Sequence, residues 1–283
     1  MTSVPQFRRV VLGLQPGAID RRSLEFSAEI ADLFGAFLQG VFVQDDDLGA
    51  LASASRLREL HLPKIEWRPM QAKDLAEDMG LAARCARRIL QGIASNRGVE
   101  SFFQVLDRKS LAQFWSGAHA DDILIFSPPR EPQERLAPPP FDMKLLNSAA
   151  LSAVFLPRRL SRRKGPVVGV VSAAGNAAWR VAAACARAAG ERLSLLVPAE
   201  APDREGLLEA AVSLGLERSN IELRILARLD TRALLSALQT FRERLIVLPP
   251  PDEENPGRLD AAVIASQRLT PVLLVGRSFE VEP

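Results

Sequence analysis

Histidines and cysteines come first, because nucleophiles, general bases and metal centres are most often built from them. The chain has two of each, His61, His119, Cys85 and Cys185, and they are scattered. No C-x-x-C pair occurs and neither cysteine has a histidine beside it, which argues against a disulfide scaffold or a zinc site. With no G-x-S-x-G elbow and no H-E-x-x-H helix, His61 and His119 read as surface or packing residues. Asp45, Asp46 and Asp47 close an apolar run and could be drawn as a magnesium site. No further ligand spacing accompanies them, so a solvated loop or helix start is the better reading. The turn "SAAGN" at 172–176 puts small residues and a hydroxyl between an apolar strand and a helix. There Ser172, Gly175 and Asn176 could receive an anion or a ribose. The competing reading is a tight turn in which Ser172 or Asn176 caps the helix. The turn "QPGA" at 15–18 carries one glycine and reads as a plain turn.

Charge narrows the partners. Lys and Arg number 36 against 34 Asp and Glu, a net +2 on 283 residues, which does not supply the dense basic field of a nucleic-acid binder. The sharpest cluster is Arg158, Arg159, Arg162, Arg163 and Lys164. It reads as a solvated linker, or else as a patch for acidic protein, nucleotide or anionic lipid. The run "NAAWRVAAACARAAG" at 176–190 is a helix apolar almost all round, its charges Arg180 and Arg187 sharing one stripe. Such a helix must be covered on more than one side. Trp179 then either anchors an interface, between halves or between chains, or is buried against its own sheet.

The elements that must position these residues alternate in period. "RVVLGL" is a strand cut by Gln15, Pro16 and Gly17. From Asp20, the residues Leu24, Ala28, Ala31 and Phe34 recur at helical spacing up to a stop at Gly35, and "FLQGVFV" at 37–43 follows as a strand. Strand, helix, strand crossovers of this kind make parallel sheets. The pattern is repeated after Gly165. "EIADLFGAFLQGVFV" from Glu29 lies without a gap over "ACARAAGERLSLLVP" from Ala184, "FQVLDR" over "LRILAR", "DILIFSPP" over "RLIVLPPP", and "LSAVFL" over "LTPVLL". A long helix is expected over 73–93. The expected fold class is α/β, two tandem doubly wound parallel-sheet domains over 1–157 and 165–283 with a basic linker at 158–164. Whether their sheets pair with each other or with a second chain is left open. The apolar run after Arg8 and Arg9 is too short for a signal peptide, and the densest run, "VVGVV" at 167–171, is far too short to span a membrane. The expected location is the cytoplasm, without membrane insertion.

The strand, turn, helix with a glycine stop, late "DILIF" strand and final "TPVLLV" strand resemble the universal stress protein family. The resemblance covers nearly the whole chain, once in each half, most specifically in "LIVLPPPDEENPGRLDAAVIASQRLTPVLLVG". It implies an adenine nucleotide alpha hydrolase-like fold that commonly dimerises and serves regulation rather than catalysis. Members that bind ATP carry an acid after the first strand and a G-x2-G-x9-G-[S/T] loop after the fourth. Here Leu14 and Gln15, and Ser172, stand in place of the acid. "SPPREPQERLAPPPFDMKLLNS" has no glycine, and "PPPDEENPGRLDAA" keeps Gly257 alone, followed by Arg258. Prolines remove N–H donors there, and Asp252, Glu253 and Glu254 repel a triphosphate. The expectation is a universal stress protein-like regulator or scaffold, not an enzyme, that works through protein contacts, a partner or a second copy, with no cofactor and no metal. The alternative is a sensor for an adenine nucleotide or related small molecule held by Ser172, Gly175, Asn176 and Gly257. A nucleotidyl-transfer enzyme would need an H-x-G-H motif after the first strand, and neither turn contains histidine.

Overall fold

The computed structural model describes residues 6–16, 20–44, 58–61, 65–69, 71–128, 151–171, 177–199, 203–250 and 259–277. The first strand, β1 (Arg9–Leu14), leads into α1 (Arg21–Phe34), which is bounded by its own sequence. The Asp20 side chain accepts the Arg22 and Ser23 N–H groups at one end, and Gly35, left-handed at φ 62°, stops the helix at the other. Then come β2 (Phe37–Val43), a hairpin of β3 (Arg58–His61) and β4 (Glu66–Pro69), α2 (Ala72–Ser95), β5 (Ser101–Leu106), α3 (Arg108–Ser116), β6 (Asp122–Phe126) and β7 (Ser152–Phe155). The second half runs β8 (Val167–Val170), α4 (Ala177–Ala189), β9 (Leu193–Pro198), α5 (Arg204–Ser213), β10 (Ile221–Leu226), α6 (Thr231–Ala237), β11 (Leu245–Leu248), α7 (Ala261–Arg268) and β12 (Val272–Leu274).

Both halves contribute to one ten-stranded sheet in the order β10-β9-β8-β11-β12-β7-β6-β1-β2-β5. Neighbours are parallel except at the centre, where β7 meets β12 antiparallel, Val154 opposite Leu273. The two expected sheets therefore join each other edge to edge within one chain. The junction also reverses direction, so the carboxyl ends of the strands in the two halves lie at opposite edges of the sheet. The hairpin β3–β4 pairs antiparallel outside this sheet and is an element that the sequence pattern did not reveal.

One face of the sheet carries α1, α2, α4 and α5 over a single continuous core that includes Leu24, Ile30, Leu90, Cys185, Leu193 and Leu245. Each such leucine contributes about 1.5–3 kcal/mol by leaving water. The opposite face is covered by α6 and α7 in the second half, through Leu234 and Ile264, and by α3 in the first, through Leu111, Phe114 and Trp115 over Val11 and Leu124. As its composition requires, α4 is buried from Ala177 through Ala186, with the sheet beneath and α1 beside it. Trp179, 3% exposed, belongs to the continuous core, and its Cα lies 3.5 Å from where a Cβ on Gly169 would stand. The segment 158–164 is not a free linker: the Ser161 N–H donates to the Leu269 carbonyl at 2.9 Å and Leu160 packs on the core.

Candidate functional site

In an open α/β sheet, ligands sit beyond the carboxyl ends of the strands where the order reverses, here between β1 and β6 and between β8 and β11. In the first half that crevice gathers Gln15, Pro16, Ser127 and the start of α1. Ser127 Oγ donates to Ser23 Oγ at 2.9 Å, and Ser23 Oγ donates in turn to the Asp20 carboxylate. The same carboxylate accepts the N–H groups of Arg22 at 3.1 Å and Ser23 at 3.2 Å. A hydroxyl bonded to a carboxylate resembles an activated nucleophile, yet a carboxylate is a poor base toward an alcohol without an imidazole between them. Asp20 acts instead as a cap. It occupies the positive end of α1 and spends the donors that a phosphate would need.

In the second half the equivalent helix start, before α4, lies outside the described residues, and an aspartate cap is described instead on the helix after β11. At the start of α7, Asp260 accepts the Val263 N–H at 2.9 Å and donates its own N–H to Thr231 Oγ1 at 2.9 Å. Asp230 caps α6, Asp203 caps α5 and Asp107 caps α3 by the same bond. Hydrogen bonding to Ser110 holds the Asp107 carboxyl below the usual carboxylate range. Ser172, Gly175, Asn176 and Gly257, the residues of the sensor alternative, lie outside the described residues, and so do Asp45, Asp46 and Asp47.

The remaining sequence candidates are dispersed. His119 is exposed. Cys85 is exposed on α2, whereas Cys185 is fully buried, and burial pushes its thiol up to about 12. No group of three His, Cys, Asp or Glu side chains among the described residues could hold a metal ion.

Two charged networks were not apparent from the sequence. Under α3, Arg9 grips Asp122 with two bonds of 2.6 and 2.7 Å, reaches Gln39 at 3.0 Å and lies over the Phe114 ring at 5.2 Å. Asp122 also accepts the His119 N–H at 2.8 Å, so this carboxylate inside the sheet is well satisfied. On the other face, Glu29 of α1 pairs with Arg97 at 3.3 Å and with Arg244, which precedes β11 and reaches Glu191 at 3.9 Å. Nearby, Arg163 meets Glu25 at 2.5 Å and Arg21 meets it at 3.1 Å. The hydrogen bond from Arg163, above all, holds the Glu25 carboxyl below its usual range. A signal was present at Arg9 and Asp122, each a charge heading an apolar strand. None marked Glu29 and Arg244, whose meeting depends on the two halves joining.

No protein-family model and no curated protein matches the chain. Solved structures do. A universal stress protein from Archaeoglobus fulgidus DSM 4304 superposes with a TM-score of 0.60 at 11% identity, over 97% of this chain and 99% of that one. A protein of unknown function from Pseudomonas aeruginosa PAO1 superposes with a TM-score of 0.55 at 13% identity, over 96% and 94%. The chain thus has an α/β fold, with a mostly parallel sheet, like that of a universal stress protein. No helix among the described residues is long and apolar enough to cross a membrane.

Proposed function

We propose that this protein is a non-catalytic regulator of the universal stress protein type, acting in the cytoplasm through contacts with a protein partner or a second copy, without ATP at its strand ends. The observation that carries this reading is the aspartate cap. Asp20 places a carboxylate on the start of α1 beside the first crevice, where a triphosphate would need free N–H donors, and Asp260 caps α7, the helix after β11, in the same way. Displacing either cap gives up about 1 kcal/mol of helix stability and sets like charges together. The prolines after β6 and β11, Pro128, Pro249 and Pro250, withhold further donors. The hairpin β3–β4 offers a contact surface, with Ile65 72% and Trp67 58% exposed. In this reading the chain is a fused pair of related halves rather than an enzyme.

The test is to purify the protein without added nucleotide, denature it and analyse the supernatant by mass spectrometry, with an adenosine titration alongside. The expected result is an empty protein and no adenosine heat. A stoichiometric adenine nucleotide together with adenosine heat would overturn the reading in favour of the sensor alternative at Ser172, Gly175, Asn176 and Gly257.

A further inference from the structure

We infer that a cleft between the two halves is a binding site for a phosphoryl dianion. The cleft is bounded by Arg22 and Phe26 of α1, by Leu160, Arg162 and Arg163 of the connecting segment, and by Arg244 of the second half, with Glu29 at its side. Its enclosed space, about 10 Å³, takes one water-sized group, the size of a single oxygen of an anion whose remainder stays outside. Four arginines line the cleft. Arg163 and Arg244 are engaged by Glu25 and Glu29, whereas among the described residues the side chains of Arg22 and Arg162 have neither a hydrogen bond nor an ion pair.

The chemistry of the ligand follows from the charge. Around the cleft Arg21, Arg22, Arg97, Arg162, Arg163 and Arg244 stand against the carboxylates of Glu25, Glu29 and Glu191, an excess of three positive charges in a chain whose whole net charge is +2. A carboxylate ligand offsets one of those charges, whereas a phosphoryl group at neutral pH offsets nearly two. The two uncommitted guanidinium forks match its oxygens bidentately. Arg158, Arg159 and Lys164, all exposed on the same segment, raise the surrounding potential. Phe26 and Leu160 give the cleft an apolar wall that strengthens each polar contact. The segment is pinned by the Ser161 bond to Leu269, so the arginines it carries are held in place. The site shares the first turn of α1 with the first strand-end crevice and differs from it in drawing on the connecting segment and the second half.

Calorimetric titration with inorganic pyrophosphate at low ionic strength tests the inference. Saturable binding is expected at one site per chain, about tenfold weaker in Arg22→Ala and in Arg162→Ala, lost in the double variant, and weakened by salt. Arg158→Ala should shift it less than twofold. Both key arginines are exposed and unpaired, so the variants should melt with the wild type, and a melting curve checks that. ATP and inorganic phosphate form the source arms. Equal affinity for ATP and pyrophosphate shows that the phosphoryl group alone is read, and tighter ATP binding that is lost in the double variant shows a nucleotide seated by its phosphates. Absence of saturable pyrophosphate binding, or binding that survives the double variant, overturns the inference. ATP binding that survives the double variant would instead locate nucleotide at a strand-end crevice and overturn the proposed function.

Discussion

Burial separates the two thiols. Cys85 stands exposed on α2, while Cys185 lies in the continuous core with its thiol pushed up to about 12, the nearby Arg244 charge opposing burial only weakly. The thiolate is the nucleophile that attacks a thiol reagent, so the exposed Cys85 is within the reagent's reach while burial keeps Cys185 both out of contact and protonated. Ellman's reagent should therefore titrate one thiol per native chain quickly and the second only in denaturant. Equal rates for both in the native protein would contradict the seating of α4. Little of this was legible beforehand, since two cysteines far apart in sequence look alike until the packing around each is known. The candidate site shows the same limit. Asp20 was legible as a helix start, because the apolar spacing behind it and Gly35 ahead bracket a helix, but its occupation of the crevice needed the Ser23 and Ser127 bonds.

At the scale of elements, strongly periodic segments were readable and weakly periodic ones were not. The strands at 9–14 and 37–43 and the long helix, expected over 73–93 and observed as Ala72–Ser95, each carry a full apolar pattern. The hairpin strands "RELH" and "EWRP" are only four residues each, carry no β-branched residue and include a proline, so their local signal is weak. Close approach between elements is sharper still, because it is decided by what is missing. A Cβ on Gly169 would stand 2.8 Å from the Ala182 Cβ and 3.0 Å from Leu195 Cδ2, pushing on the backbone of α4. A Cβ on Gly40 would also meet an atom at 2.8 Å, but that atom is the far end of the Leu90 side chain, which can turn away. Gly169→Ala should therefore cost about 1–3 kcal/mol in urea unfolding and Gly40→Ala clearly less. The reverse order would mean that α4 does not ride so close to β8.

The whole molecule is held by a sheet and a core that both cross the middle of the chain. The β7–β12 pairing, the contact of α1 with α4 and the Glu29–Arg244 pair all tie residues of one half to the other. Calorimetry should show a single unfolding transition with matching calorimetric and van't Hoff enthalpies. Two separated transitions would show that the halves are independent. The Glu29–Arg244 bridge has a further consequence. In a pair of identical subunits related by a two-fold axis, every contact is made twice. Here the register that lays Glu29 over Ala184 and Arg244 over Asp122 gives the mirror-image bridge no partners, so the bond is made once. Covalent linkage thus frees each half from having to be complementary to a copy of itself. The seam acquires a polarity, and whatever docks across it meets a left side that differs from the right and can bind in one orientation alone.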